Sequence, residues 1–168
     1  MSYRVEPLGA GHDLNAFDCG HDALTEWLRQ HARNATGKGT RTYLLIEEAG
    51  RAVGGYFAIA PHLVERDTAP PGVGRGAPQR IPAILIAKLA LRRDLHGQGL
   101  GAELLVYALT TVVTAARSAG GRLVVVDAVD SDAADFYRAH DLQPSPTDPC
   151  RLIMKLSSTA RALDLPWP

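Results

Sequence analysis

Residues 83–101 read AILIAKLAL and then RRDLHGQGLG, and the apolar positions that follow recur at helical spacing. A nearly continuous apolar run suits a strand buried on both faces. Gly97, Gly99 and Gly101 then pass the chain straight into a helix of about residues 100–118, whose apolar face is Leu104, Leu105, Ala108, Leu109, Val112 and Val113. Glycines leave backbone N–H groups uncovered, and at a helix N-terminus those groups and the helix dipole favour an anion. Strand, turn and helix together predict a phosphate cradle. Gly120 and Gly121 end the helix, and RLVVVDAV supplies the next strand, so this stretch is one strand-helix-strand crossover.

The rest of the chain predicts a sheet around that crossover. Tyr3 to Leu8 reads as a strand, and FDCGHDALTEWLRQHARNA as a helix with Leu24, Trp27, Leu28, His31 and Ala35 at helical spacing. RTYLLIEE and RAVGGYFAIA form a hairpin, and APPGVGRGAPQRIP a long connection. SDAADFYRAH is a short helix, CRLIMKL a last strand, and TARALDLPWP a surface tail. This order predicts a mixed α/β fold with a largely antiparallel central sheet flanked by helices. No repeat or linker interrupts it, so the expectation is one domain over residues 1–168, with 157–168 as a C-terminal extension.

Composition narrows the class further. A chain of 168 residues, 46% hydrophobic and 21% charged, can bury one core and is not disordered. No apolar run approaches the ~20 residues of a membrane span, and MSYRVEPLG lacks a secretory pattern, so a cytoplasmic protein is expected. Cys19 and Cys150 lie far apart without metal-ligand spacing, which predicts two ordinary buried thiols. The zero net charge hides a segregation: two acid-free stretches, Trp27–Ile46 and Thr68–Arg93, hold nine of the 18 basic residues. If they meet in space they form a positive face able to attract a polyanion.

The glycine turn discriminates among phosphate sites. A P-loop needs Lys and Ser or Thr just inside the helix, where this chain has Gly101, Ala102 and Glu103. A dinucleotide fold gains an acid from Asp127 at the end of RLVVVD, but the spacing is G-x-G-x-G and five residues, Arg92 to His96, separate it from the strand. The residues alone leave that site and an unliganded glycine turn as alternatives to an acyl-CoA-type cradle.

His96-Gly97-Gln98-Gly99-Leu100-Gly101 resembles the signature of the GNAT superfamily of N-acetyltransferases, with His96 in place of its usual Arg or Gln; a second block follows at Asp130, Ala133, Phe136 and Tyr137. Phe17-Asp18-Cys19-Gly20, Trp27-Leu28, Arg41-Thr42-Tyr43, Gly54-Gly55-Tyr56, Pro82 and Leu89-Ala90 extend the resemblance to the TacT-type toxins, over about residues 15–140. The resemblance implies the GNAT acyltransferase fold, acetyl-CoA as cofactor, acetylation of the α-amine of aminoacyl-tRNA to block translation, a ribbon-helix-helix antitoxin and a homodimer. It assigns cofactor binding to Leu89, Ala90, Leu91, His96, Gly97, Gln98, Gly99, Leu100, Gly101, Ala102, Ala133 and Phe136, the strand residues meeting pantetheine through backbone groups. Tyr137 takes the place of the general acid that protonates the departing thiolate.

Chemistry adds to this. A lysine amine of pKa ~10.4 is only ~0.04% neutral at pH 7, whereas an α-amine near pKa ~8 is ~10% neutral and needs no strong base. No carboxylate or histidine beside the motif reads as a base, and His31, His62 and His96 have no positional support, which favours an α-amine acceptor. Arg29, Arg33, Lys38, Arg41, Arg75, Arg80, Arg92 and Arg93 are the expected tRNA phosphate contacts, giving affinity with little sequence reading; Arg92 and Arg93 serve alternatively for the CoA 3'-phosphate. Asp127, Asp130, Asp132 and Asp135 read as caps and surface rather than a metal site, since the Gly and terminal Glu of a calcium loop are absent. They are also a candidate acidic patch for a basic antitoxin tail. The competing function is a GNAT enzyme acting on a small-molecule amine or a protein N-terminus.

Overall fold

Alternating apolar side chains in RTYLLIE and the β-branched run of LVVVD build two members of a seven-stranded sheet in the computed structural model, which describes residues 2–168. The strands are β1 (Tyr3–Pro7), β2 (Arg41–Glu47), β3 (Val53–Glu65), β4 (Arg80–Leu91), β5 (Leu123–Asp127), β6 (Gln143–Ser145) and β7 (Asp148–Lys155), in the order β1-β2-β3-β4-β5-β7-β6. β1–β2, β2–β3, β5–β7 and β6–β7 pair antiparallel, and β4–β5 parallel. The parallel pair is the predicted crossover, made by the helix α4 (Leu100–Ala119). The expected mixed α/β class is thus observed.

The chain divides into two compact units, one running to Ala60 and including Ala87–Ala108, the other comprising Pro61–Ile86 and Leu109–Pro168. In the first, Leu14, Phe17, Leu28, Ala32, Leu44, Ile46, Tyr56 and Ala90 form a buried cluster beneath α1 (Asp22–Glu26), a π-helical turn (Trp27–His31) and α2 (Ala32–Thr36). The predicted helix therefore starts five residues late and is interrupted. Phe17–Gly20 stays irregular because side chains capture its backbone donors: Asp18 Oδ1 accepts from Gly20 N–H at 2.8 Å, and Thr25 Oγ1 from Cys19 N–H at 3.1 Å.

In the second unit Val64, Val73, Ala77, Ile81, Leu123, Val125 and Ile153 form the core. The predicted long connection lies three residues earlier and is structured: β3 continues to Glu65, a 3₁₀ turn (Arg66–Thr68) and α3 (Pro71–Gly74) follow, and β4 already begins at Arg80. Val73 and Ala77 anchor it, and Arg66 donates to the Ala77 carbonyl at 3.0 Å. Two elements are not foreshadowed: β6, three residues long and holding Pro144, and α6 (Leu156–Ala162), which starts at the last residue of the predicted final strand and buries Leu156, and Thr159 and Ala160 of the predicted surface tail. α5 (Ser131–Ala139) falls where expected, with Asp130 capping the Ala133 N–H at 2.8 Å. Cys19 is buried, but Cys150 is only half-buried, correcting the expected pair.

All six predicted apolar-face residues of α4 are buried. Each such Leu or Val contributes about 2 kcal/mol relative to exposure. At 20 residues and a mean hydropathy of 1.3, α4 reaches the length and composition of a membrane span, contrary to the expectation that no run would. Its apolar face is instead covered by protein.

Candidate active site

The glycine turn is held by its own side chains. After β4 a 3₁₀ turn (Arg93–Leu95) buries Leu95, and the chain then runs exposed through His96–Gly99. His96 Nε2 donates to the Leu91 carbonyl at 2.9 Å and Gln98 Nε2 to the Asp94 carbonyl at 3.2 Å. Both polar side chains brace the entry to the turn. Gly97 and Gly99 sit at φ of 78° and 80°, with open space where a Cβ would project. Among the described residues no acceptor takes the N–H groups of Gly97, Gln98 or Gly99, and the first N–H groups of α4 have no partner within the helix. Leu100, Gly101 and Ala102 form that half-buried first turn. Such a row of donors fits a diphosphate.

β4 supplies the second element. Its pairing with β5 covers Ala83–Ile86 only, while β4 continues to Leu91. The segment holding Leu89, Ala90 and Leu91 therefore extends past its β5 ladder, which suits an extended amide chain such as pantetheine. Arg92 secures the end of β4: its N–H donates to the Gly54 carbonyl at 2.8 Å, and its half-buried guanidinium meets Glu47 at 2.7 Å and Asp94 at 2.6 Å. The sequence reading placed Arg92 against phosphate; here its charge is matched by two carboxylates. Nothing local in sequence links Glu47 to Arg92, 45 residues away.

The expected basic residues differ in how free they are. Arg29 and Lys38 are exposed and form no ion pair or hydrogen bond among the described residues. Arg33 donates to the His12 carbonyl at 2.6 Å, and Arg41 to the Thr36 carbonyl at 3.0 Å. Arg93 pairs with Asp18 at 3.2 Å. The Gly20 N–H first, and the Arg93 and Arg29 charges after it, hold the Asp18 carboxyl below its ordinary range. The two acid-free stretches meet here in the first unit, and again where Lys88 Nζ sits 5.7 Å from the Trp27 ring. In the second unit Arg80 pairs with Glu65 at 3.4 Å and Arg75 is exposed.

The second unit carries Tyr137 on α5. Tyr137 is buried, and burial raises its phenol well above the ordinary value, so the proton stays on Oη near neutral pH. Phe136 packs edge-on against Tyr137 at 5.3 Å and against His140 at 4.8 Å, and Ala133 is half-buried on the same helix. The acidic residues have local partners: Asp127 binds Arg151 at 2.8 Å, Asp130 caps α5, and Asp135 pairs with Arg138. Arg151 also donates to His62 Nε2 at 3.1 Å. Burial, then the Arg151 charge, lowers the His62 pKa, so that imidazole is neutral. His62, Arg151 and Asp127 are distant in sequence, and no motif foreshadows the trio.

No family model matches the chain. A tRNA-acetylating toxin of Mycobacterium tuberculosis (strain ATCC 25618 / H37Rv) is 38% identical over 152 residues, covering 90% of each chain. This chain belongs to the tRNA-acetylating toxins. Solved structures agree: AtaT complexed with acetyl-methionyl-tRNA superposes with a TM-score of 0.87 at 29% identity, over 96% of this chain and 99% of that one. An AtaT variant bound to the C-terminus of the antitoxin AtaR and to acetyl-CoA gives 0.81 at 29% identity, over 95% and 97%. A toxin of this family is an N-acetyltransferase of GNAT type, as its motifs implied.

Proposed function

We propose that this toxin transfers the acetyl group of acetyl-CoA to the α-amine of aminoacyl-tRNA in the cytoplasm, which blocks translation. The observation that carries the reading is the exposed row of N–H donors at Gly97–Gly99, found in a chain 38% identical to a tRNA-acetylating toxin. Acetyl-CoA supplies the acetyl group as a thioester. The N–H groups from Gly97 to Ala102 bind its diphosphate, with His96 and Gln98 bracing the turn. The backbone of Leu89, Ala90 and Leu91 is the edge for the pantetheine amides, and Ala133 and Phe136 are the α5 residues that the GNAT resemblance assigns to the cofactor.

Tyr137 holds a proton on Oη and releases it to the sulfur of the departing CoA. A phenol this basic gives up its proton only to a group whose charge grows as the C–S bond breaks, so donation accompanies cleavage. The acceptor α-amine, partly neutral at pH 7, attacks without a dedicated base. Arg29 and Lys38 contact tRNA phosphates, joined by Arg33, Arg41, Arg75, Arg80 and Arg93 where their present partners leave guanidinium donors over. A ribbon-helix-helix antitoxin neutralises the toxin, which acts as a homodimer. AtaT bound to the C-terminus of AtaR supports an antitoxin partner.

Labelled acetyl-CoA incubated with charged and with deacylated total tRNA tests the reading. Label is expected on charged tRNA alone, and Tyr137→Phe is expected to lower turnover by about 10²–10⁴-fold while still binding acetyl-CoA. Label on neither pool, with acetyl-CoA bound, points to a small amine or a protein N-terminus.

A further inference from the structure

Lys88 has no role in the scheme above, yet it occupies a built environment. It is half-buried on β4, within the segment that runs past the β5 ladder, and it shares a face of the strand with Ala90. Ala90 belongs to the cluster with Leu28, Ala32 and Tyr56, so Lys88 lies on the side of the sheet covered by the helix that carries Arg29. Its ammonium rests 5.7 Å from the Trp27 ring. Trp27 stacks on Tyr56 at 5.9 Å and 9°, Phe17 meets Tyr56 edge-on at 5.6 Å, and the Tyr56 hydroxyl donates to the Leu24 carbonyl at 2.7 Å. This stack is a fixed platform for a cation.

No carboxylate neutralises that cation among the described residues. In the same unit Asp18 is taken by Arg93, Glu47 by Arg92, and Glu6 by Arg4 and Arg51, while Asp22, Glu26 and Glu103 carry no ion pair and none of them bridges to Lys88. Among the described residues Lys88 is anchored by an aromatic face and by no ion pair, so its ammonium is turned toward whatever enters beside β4. We propose that Lys88 is a specificity-determining residue that disfavours acceptors whose aminoacyl side chain carries a positive charge. The proposal rests on the reading that aminoacyl-tRNA approaches across the basic helical face and meets the thioester along β4. There the α-amine attacks in its neutral form whatever the amino acid, so the side-chain charge is what Lys88 senses. Two like charges a few ångströms apart in a partly dry site repel strongly enough to change relative rates by about tenfold or more.

Methionyl- and lysyl-tRNA make the probe, because their side chains are similar in length and differ in charge. kcat/KM for methionyl-, lysyl- and arginyl-tRNA would be measured at fixed salt for the wild-type toxin, Lys88→Met and Lys88→Gln, together with binding of deacylated tRNA and of acetyl-CoA. The expected result is wild-type discrimination against lysyl- and arginyl-tRNA that shrinks by about tenfold in both variants, with the affinity for deacylated tRNA held. Met keeps the apolar stem on Trp27, and Gln keeps polarity, so agreement between them isolates the charge. An unchanged lysyl-to-methionyl ratio, or an equal loss on all acceptors with weaker binding of deacylated tRNA, overturns the inference; the second outcome makes Lys88 a phosphate contact. A wild-type toxin that acetylates no aminoacyl-tRNA overturns the proposed function and this inference together.

Discussion

Gly55 offers a quantitative test of how β3 positions the strand that the cofactor is expected to use. A Cβ built on Gly55 would lie 2.9 Å from the Ala90 carbonyl oxygen, 3.1 Å from Leu91 Cδ2 and 3.3 Å from Leu104 Cδ2. The two leucine methyls can give by tenths of an ångström. The Ala90 oxygen is main chain on β4, so β3 and β4 must separate instead. Overpacking of this kind costs about 1–3 kcal/mol. Gly55 is not in the left-handed region, so alanine recovers about 0.4–1 kcal/mol by restricting the unfolded chain. Because the obstacle is main chain, the upper part of that range, about 2–3 kcal/mol, applies, and the net for Gly55→Ala is a loss of about 1–2.6 kcal/mol, or a Tm lowered by roughly 2–10 °C for a chain of this size. Moving the β4 backbone at Ala90 also shifts its neighbours Leu89 and Leu91, whose backbone groups face the proposed pantetheine edge, so acetyl-CoA affinity should fall as well. Thermal unfolding with and without acetyl-CoA, beside Gly54→Ala, is the assay. Gly54 is the fitting control because its Cβ would first meet the far ends of Leu95 and Tyr3, at 3.2 Å each. A Gly55→Ala protein as stable as wild type, with equal acetyl-CoA affinity, would refute the argument.

Three further outcomes are expected. Thr42 is 4% exposed and its Oγ1 has no hydrogen-bond partner among the described residues, so Thr42→Val should be neutral or should raise stability by about 1 kcal/mol in urea unfolding; a clear destabilisation would mean that the hydroxyl has a partner. Arg29→Glu with Lys38→Glu should weaken tRNA binding and flatten its salt dependence while leaving acetyl-CoA affinity intact, and an equal loss of both would contradict the division of roles. Arg51 first, then His12 and Arg4, hold the Glu6 carboxyl at about 2 against an ordinary 4.5. A carboxyl depressed on folding stabilises above its unfolded value, and that contribution disappears as pH falls from 4.5 toward 2. Glu6→Gln should therefore flatten the Tm-versus-pH curve across that window, by a small amount because its partners Arg4 and Arg51 are exposed.

Features governed by neighbours in the chain were legible in the letters alone. The strand-glycine-helix order fixes a crossover, because apolar periodicity and glycine placement are local. The apolar face of α4 and the Asp130 cap of α5 follow from spacing alone. The GNAT motifs lie in those same stretches, the TacT-type motifs mostly before them, and the family they imply is the one the chain belongs to. Which polar groups are spent on the fold and which remain free depended on long-range packing. Arg92 and Arg29 look alike in a string of letters, but Glu47 and Asp94 neutralise the first while the second stays exposed. β6 escaped because three residues around Pro144 carry no strand pattern and are held by pairing with β7. The Lys88–Trp27–Tyr56 stack and the His62–Arg151–Asp127 trio escaped because their members lie tens of residues apart. Partner choice among charges depends on distance and burial, which a sequence does not contain until the chain has folded.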